Sequence, residues 1–310
     1  MITFVKHHDI NKKKWDECVL NSQYPLVYAE SWYLDAVSPN WDAYVLEKDN
    51  CYTAVFPLTQ RRKYGVTYLP QPPFCQQLGL FSSEKVDLNS FLARVIKQYP
   101  LIQISLNHDN YLNIGDNVGE KRINLELNLN RTYEDIFTSY NYNRKRDLKK
   151  AKKAELFIEP SLNIDFFIDF FQKEKKLFIS GLGDKYWKVL RQIHQRGVKK
   201  SAIKLIFAYN STREVVASGL YLVSNKRIIF LLGTSSAEGQ ENGGMTFLMD
   251  SVIHEYCLQD MVLDFEGSMI PGVAKFYESL GGKEKKYISL KASRLAVLLK
   301  ILKKIKDFKF

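Results

Sequence analysis

Short runs of apolar residues alternate along this chain with segments whose apolar positions recur at helical spacing, and the alternation comes in a repeated order. Residues 2–5, 41–46, 52–58 and 66–69 carry β-branched and aromatic residues between turn signals and predict strands. Residues 12–20, 29–36 and 85–98 carry the helical period, and strands at 101–106 and 122–129 close this half. The run PQPPF at 70–74 lacks the donors a central strand needs and predicts a rigid loop suited to lining a groove. A helix capped by Thr132 then continues through YNYNRKRDLKKAKKA. After it the order begins again: a strand at 156–159, helices at 164–177 and 184–195, strands at 203–209, 215–223 and 227–232, the loop GTSSAEGQENGG, and a helix at 244–256.

The stretch 262–282 is the one around which the second half is organised. A short strand delivers Asp264 and Glu266 to a turn at Gly267 and Ser268, Pro271 opens a helix, and Gly281 with Gly282 ends it. A strand at 286–290 follows. In 293–310, Leu298, Ile301, Leu302, Ile305 and Phe308 recur at helical spacing among lysines, which predicts a basic amphipathic helix that either docks on the core or lies on an anionic membrane surface. The pattern as a whole predicts a mixed α/β protein of two successive units. These cover 1–130 and 131–292, the second with a basic entry helix, and 293–310 stands apart. No repeat is visible residue by residue; only the order of elements repeats.

Composition adds a class and a partner. A hydrophobic content of 45% and an aromatic content of 13% suit an ordered chain with a core in each unit. No apolar run approaches the roughly 20 residues that span a bilayer, and MITFVKHHDI lacks the layout of a secretory signal, so a cytoplasmic protein is expected. The four cysteines and five histidines are scattered without metal-ligand or paired spacing, so neither a metal nor a disulfide frame is expected. The net charge of +11 points to a polyanionic partner: nucleic acid, a phosphorylated substrate or cofactor, or an anionic membrane.

The candidate chemistry falls in three places. Arg144, Lys145 and Arg146 open a dense basic window that is either a solvated helix face or a phosphate-binding one, with Tyr140 and Tyr142 able to pack on a sugar or base. Gly243 and Gly244, at the start of a helix, would let an anion approach backbone N–H groups. Asp264 and Glu266 either cap their turn or face a substrate. Beyond them, Lys275 and Tyr277 read either as a surface lysine and a core phenol or as polar groups beside that substrate.

Strand, two helices, three strands, helix, strand, helix, strand is also the order of the GNAT N-acyltransferase superfamily. The run Gln240 to Met245 resembles its Q-x-x-G-x-G/A loop, with Met245 where a small residue is usual. Two such halves, the R-x-x-K-K-A pattern at Arg146 to Ala151, and DFEGS followed by P-G-x-x-x-F-Y resemble the Fem-type aminoacyltransferases that build peptidoglycan bridges. That resemblance covers nearly the whole chain and implies two tandem GNAT-like domains. It also implies transfer of an aminoacyl group from aminoacyl-tRNA to an amine such as that of a muropeptide, without a metal or a tightly bound cofactor. Many members carry lysine where Tyr277 stands. In acyl transfer the attacking amine must lose a proton and the carbonyl oxygen needs donors. Asp264 or Glu266 would serve the first need; Lys275, Tyr277 or backbone N–H groups near Gly267 and Ser268 would serve the second. Two alternatives stay open: an acyl-CoA-dependent N-acetyltransferase acting on a sugar or lipid amine, and a non-catalytic module that binds RNA or anionic lipid. The C-terminal segment would allow peripheral contact with the inner face of the membrane.

Overall fold

The computed structural model describes residues 1–110, 119–175, 183–267 and 269–293. Ser268 and the expected C-terminal helix lie outside them, apart from Ser293, which ends a strand. The fold is mixed α/β, and the chain divides into two compact units, one of residues 1–122 with 286–293, the other Ile123–Lys285. This division differs from the boundaries read at 130/131 and 292/293. Strand pairing gives the reason: the second unit takes in the strand before Leu129, and the last strand returns to the first unit.

The first unit opens with β1 (Ile2–Val5), α1 (Lys12–Leu20), α2 (Ser31–Val37), β2 (Asp42–Lys48) and β3 (Cys51–Leu58). It continues through β4 (Arg61–Lys63), β5 (Val66–Pro70), β6 (Phe81–Ser82), α3 (Leu88–Gln98) and β7 (Leu101–Leu106). Strands β1, β2, β3 and β6 form one sheet in that order. The buried rings of Trp15 and Trp41 pack on each other at 4.6 Å, and the indole N–H of Trp15 donates to the Ala29 carbonyl at 2.7 Å. A second run pairs β4 with β5, and β5 with β7 in parallel. Helix α3 starts at Leu88 rather than 85 because the Asp87 carboxylate caps it, accepting from the N–H groups of Asn89 and Ser90. The proline loop is indeed not a strand beyond Pro70; the Tyr33 hydroxyl and the Gln71 amide donate to its Phe74 and Cys75 carbonyls.

The second unit starts within β8 (Gly119–Asn128) and continues with α4 (Tyr133–Thr138), α5 (Tyr142–Lys153), β9 (Phe157–Ser161), α6 (Ile164–Glu174) and α7 (Asp184–Val198). Then come β10 (Ile203–Tyr209), β11 (Val215–Ser224), β12 (Arg227–Ser235), α8 (Ala237–Glu241), α9 (Gly244–Tyr256), β13 (Val262–Asp264) and α10 (Pro271–Glu278). Its strands lie side by side as β8-β13-β12-β11-β10-β9. The β8 register, Val262 with Asn128 and Asp264 with Glu126, draws residues 123–128 into this unit. The final strand, β14 (Lys283–Ser293), pairs its later residues with β7, Ile288 with Leu106 and Ser293 with Leu101.

One face of the second sheet carries α4, α5, α9 and α10 over a core that includes Leu127, Ile206, Tyr221, Phe230, Met249 and Phe265. The other face carries α6 and α7, with Phe167 of α6 against Phe207 of β10. Two local expectations change. The basic helix is broken into α4 and α5, because Asn141 caps the second piece by accepting from Arg144 N–H and donates its own N–H to the Ser279 carbonyl. Tyr133, at the start of α4, and Tyr140, in the break, donate to the partly buried Asp250 carboxylate at 2.9 and 3.0 Å. The loop GTSSAEGQENGG is largely ordered secondary structure: β12 runs on to Ser235, and the Ser236 hydroxyl caps α8. Among the described residues no helix is long and apolar enough to cross a membrane.

Candidate active site

Two irregularities in neighbouring strands open a space in the second sheet. Across β11 and β12, Tyr221 faces Phe230 while Leu220 faces Leu232, so Leu231 is an extra residue that bulges β12. Across β12 and β13, pairing is parallel and covers only Arg227 with Val262, Ile228 with Leu263 and Ile229 with Asp264. Beyond that point the chain leaves the sheet through Glu266 and Gly267, at φ 56° and 50°. Gly267 is demanded by contact as well as by conformation, since a Cβ there would lie 2.3 Å from the Ile123 carbonyl oxygen. The Asp264 carboxylate holds Glu266 in this left-handed turn by accepting its backbone N–H at 2.8 Å.

The parted strands border a half-open cavity of about 500 Å³. Phe230, Leu231, Leu232 and Gly233 form the wall from β12, and Phe265, Glu266 and Gly267 the wall opposite. Ile270, Val273 and Tyr277 from the α10 segment and Phe171 and Lys175 from the end of α6 complete it. Helix α10 exists where it does because Pro271 starts it, and it ends where the Tyr277 carbonyl accepts from Gly282 N–H. Its inward face presents Tyr277, which stacks on Phe265 at 4.8 Å and meets Phe230 edge-on at 6.4 Å. Among the described residues the Tyr277 hydroxyl has no hydrogen-bond partner. Burial, and then the Glu266 carboxylate, raise its pKa, so the phenol keeps its proton at neutral pH. The same two causes, in the same order, push Tyr186 of α7 up to about 12.

Asp264 sits beneath this cavity rather than in its lining. It is wholly buried, with Oδ2 accepting from Arg227 at 2.8 Å, while the same Arg227 nitrogen donates to Glu126 at 2.7 Å. Two carboxylates thus share one guanidinium in the sheet interior. Lys275 is exposed and outside the cavity lining. Of the four residues singled out as catalytic, Glu266 and Tyr277 line the cavity together.

The residues read as phosphate-binding separate into two groups. Gly243 and Gly244 meet Arg144 at the junction of α5 with the start of α9. Gly243 has φ 74°, and a Cβ there would lie 2.6 Å from the Asp147 carbonyl; one on Gly244 would lie 3.2 Å from Ala217 Cβ. Arg144 pairs with Asp147 at 3.0 Å, donates to Thr246 Oγ1 at 3.0 Å and lies over the Phe276 ring at 4.6 Å. This is packing of helix on helix. Lys145, half-buried, donates to the Thr138 carbonyl at 3.2 Å, whereas Tyr142, 77% exposed, and Arg146 stand in solvent on one stripe with Lys149 and Lys153. Sequence reasoning missed Arg227, Glu126, Phe230 and Lys175. Of these only Arg227 left a signal, as a charge at the head of the apolar run RIIFLL.

No protein-family model matches the chain, and no curated protein sequence matches it. Solved structures do. The crystal structure of FemX superposes with a TM-score of 0.63 at 12% identity, over 94% of this chain and 98% of that one. A conserved protein of unknown function from Bacteroides thetaiotaomicron gives 0.60 at 11% identity, over 94% and 99%. The C-terminal domain of a candidate lysylphosphatidylglycerol synthetase from Agrobacterium fabrum gives 0.52 at 10% identity, over 94% of each chain. These likenesses concern the fold alone.

Proposed function

We propose, from an acyltransferase fold whose parallel strands part over a cavity holding a carboxylate and a protonated phenol, that this chain transfers an acyl or aminoacyl group to an amine. The meeting of Glu266 and Tyr277 in that opening carries the reading. The amine nitrogen attacks the donor carbonyl, a C–N bond forms, and the ester or thioester bond to the carrier breaks. Glu266 takes the proton that the amine must lose. The Tyr277 hydroxyl, having no other partner among the described residues, donates to the carbonyl oxygen as charge gathers there. Asp264 and Arg227 act one step removed, fixing the turn that aims Glu266. The exposed stripe of Tyr142, Arg146, Lys149 and Lys153 supplies a surface for a polyanionic carrier, whether tRNA or the nucleotide end of CoA. In the Fem-type form of this reading the acceptor is a muropeptide amine in envelope synthesis; in the acyl-CoA form it is a sugar or lipid amine.

The test is incubation with charged tRNAs or acyl-CoAs and these acceptors, read by the mass added. Glu266→Gln and Tyr277→Phe are each expected to lower kcat at least about tenfold with circular dichroism unchanged. Wild-type rates in both would sink the assignment. Binding of tRNA through the basic stripe, with no transfer of any kind, would favour the non-catalytic reading instead.

A further inference from the structure

We infer that the group transferred is bulky and apolar, an aliphatic chain of several carbons or a side chain of leucyl or phenylalanyl size, and not an acetyl, glycyl or alanyl group. This rests on taking the cavity as the donor site. Its volume, about 500 Å³, is of the order that encloses a ligand of many heavy atoms, far more than two or three carbons fill.

The walls decide the chemistry. Phe171, Phe230, Leu231 and Phe265 are each at least nine-tenths buried yet face the cavity, and Leu232 and Val273 continue the surface. Two features of β12 build that wall. The bulge inserts Leu231, and the absence of a side chain at Gly233 leaves room for the Phe230 ring, which would lie 2.4 Å from a Cβ there. Among the described residues only Lys175 and Glu266 bring charge to the lining, and Glu266 lies within electrostatic reach of the Tyr277 phenol. The polar groups suit the reacting carbonyl and amine, and the aromatic and aliphatic walls suit what is attached to them. A small acyl group would leave those walls facing water, whereas each methylene that covers them should tighten binding roughly threefold to fourfold.

The pocket can be tested apart from the reaction by calorimetric titration of the full chain with amides that mimic the donor's tail. One arm compares octanamide with acetamide, the other phenylalaninamide with glycinamide; the arm that responds tells an aliphatic acyl donor from an aminoacyl one. The larger amide of at least one pair is expected to bind at least about 30-fold tighter. Val273→Trp, which fills the cavity from the partly exposed face of α10, should reduce that ratio below about threefold while sparing the small amide. Val273→Phe serves if the tryptophan variant does not fold. Equal affinities in both arms, or a ratio unmoved in a folded variant, would overturn the inference. Transfer of acetyl or glycyl groups without a size preference would overturn it and leave acyl transfer standing; tight binding of large amides with no transfer would do the reverse.

Discussion

Asp264 is a carboxyl group enclosed on every side, and burial holds its pKa above the usual carboxylate range against the pull of Arg227, with Glu126 adding to the rise. A group whose folded pKa is raised stabilises most below its unfolded value, near 3.9, and that contribution is lost as pH rises through the folded value. The wild type should therefore lose stability relative to Asp264→Asn as pH rises above about 4, measured by urea unfolding at several pH values. A difference that stays flat would mean that Asp264 is not the group titrating. The residue was visible in the sequence as half of an acidic pair, but its role was not. Asp264 and Glu266 are two positions apart, which in a strand implies one shared face. The left-handed turn at Glu266 breaks that alternation, and one carboxylate is buried against Arg227 while the other lines the cavity.

At the scale of elements, most strands and helices were legible because their apolar periods are strong and their caps are ordinary. What escaped was whatever depends on a distant partner. The bulge at Leu231 exists only in the register with β11, and the break between α4 and α5 is held by Ser279 and Asp250, more than a hundred residues away in the chain. The two glycines before α9 show the same limit. As sequence they suggest a cradle for an anion; in the fold they let α5 and β11 approach the start of a helix. Gly243→Ala forces a side chain into the left-handed region and against Asp147, and should cost about 1–3 kcal/mol in chemical unfolding. A variant of wild-type stability that had lost affinity for CoA or tRNA would restore the anion reading.

For the molecule as a whole, the mixed α/β fold was legible, and the return of the last strand to the first unit was not. A strand announces its own apolar alternation, not the identity of its neighbour. Residues 123–285 form one unit from a continuous stretch, while the other unit pairs β7, from its first 122 residues, with the part of β14 that follows Lys285. A chain ended after Lys285 should keep hydrogen-exchange protection in β9 to β13 and lose much of it in β7, which then has β5 on one side and an open edge on the other; protection of β7 at wild-type levels would contradict this. The return of β14 also sets an order of events at the ribosome. The strands from β9 to β13 can pair as they emerge, but the unit made first must wait with an open edge on β7 until residues 286–293, made after the whole second unit, have left the ribosome. During that interval the newborn chain carries an open strand edge, and the arrival of β14 is what closes it.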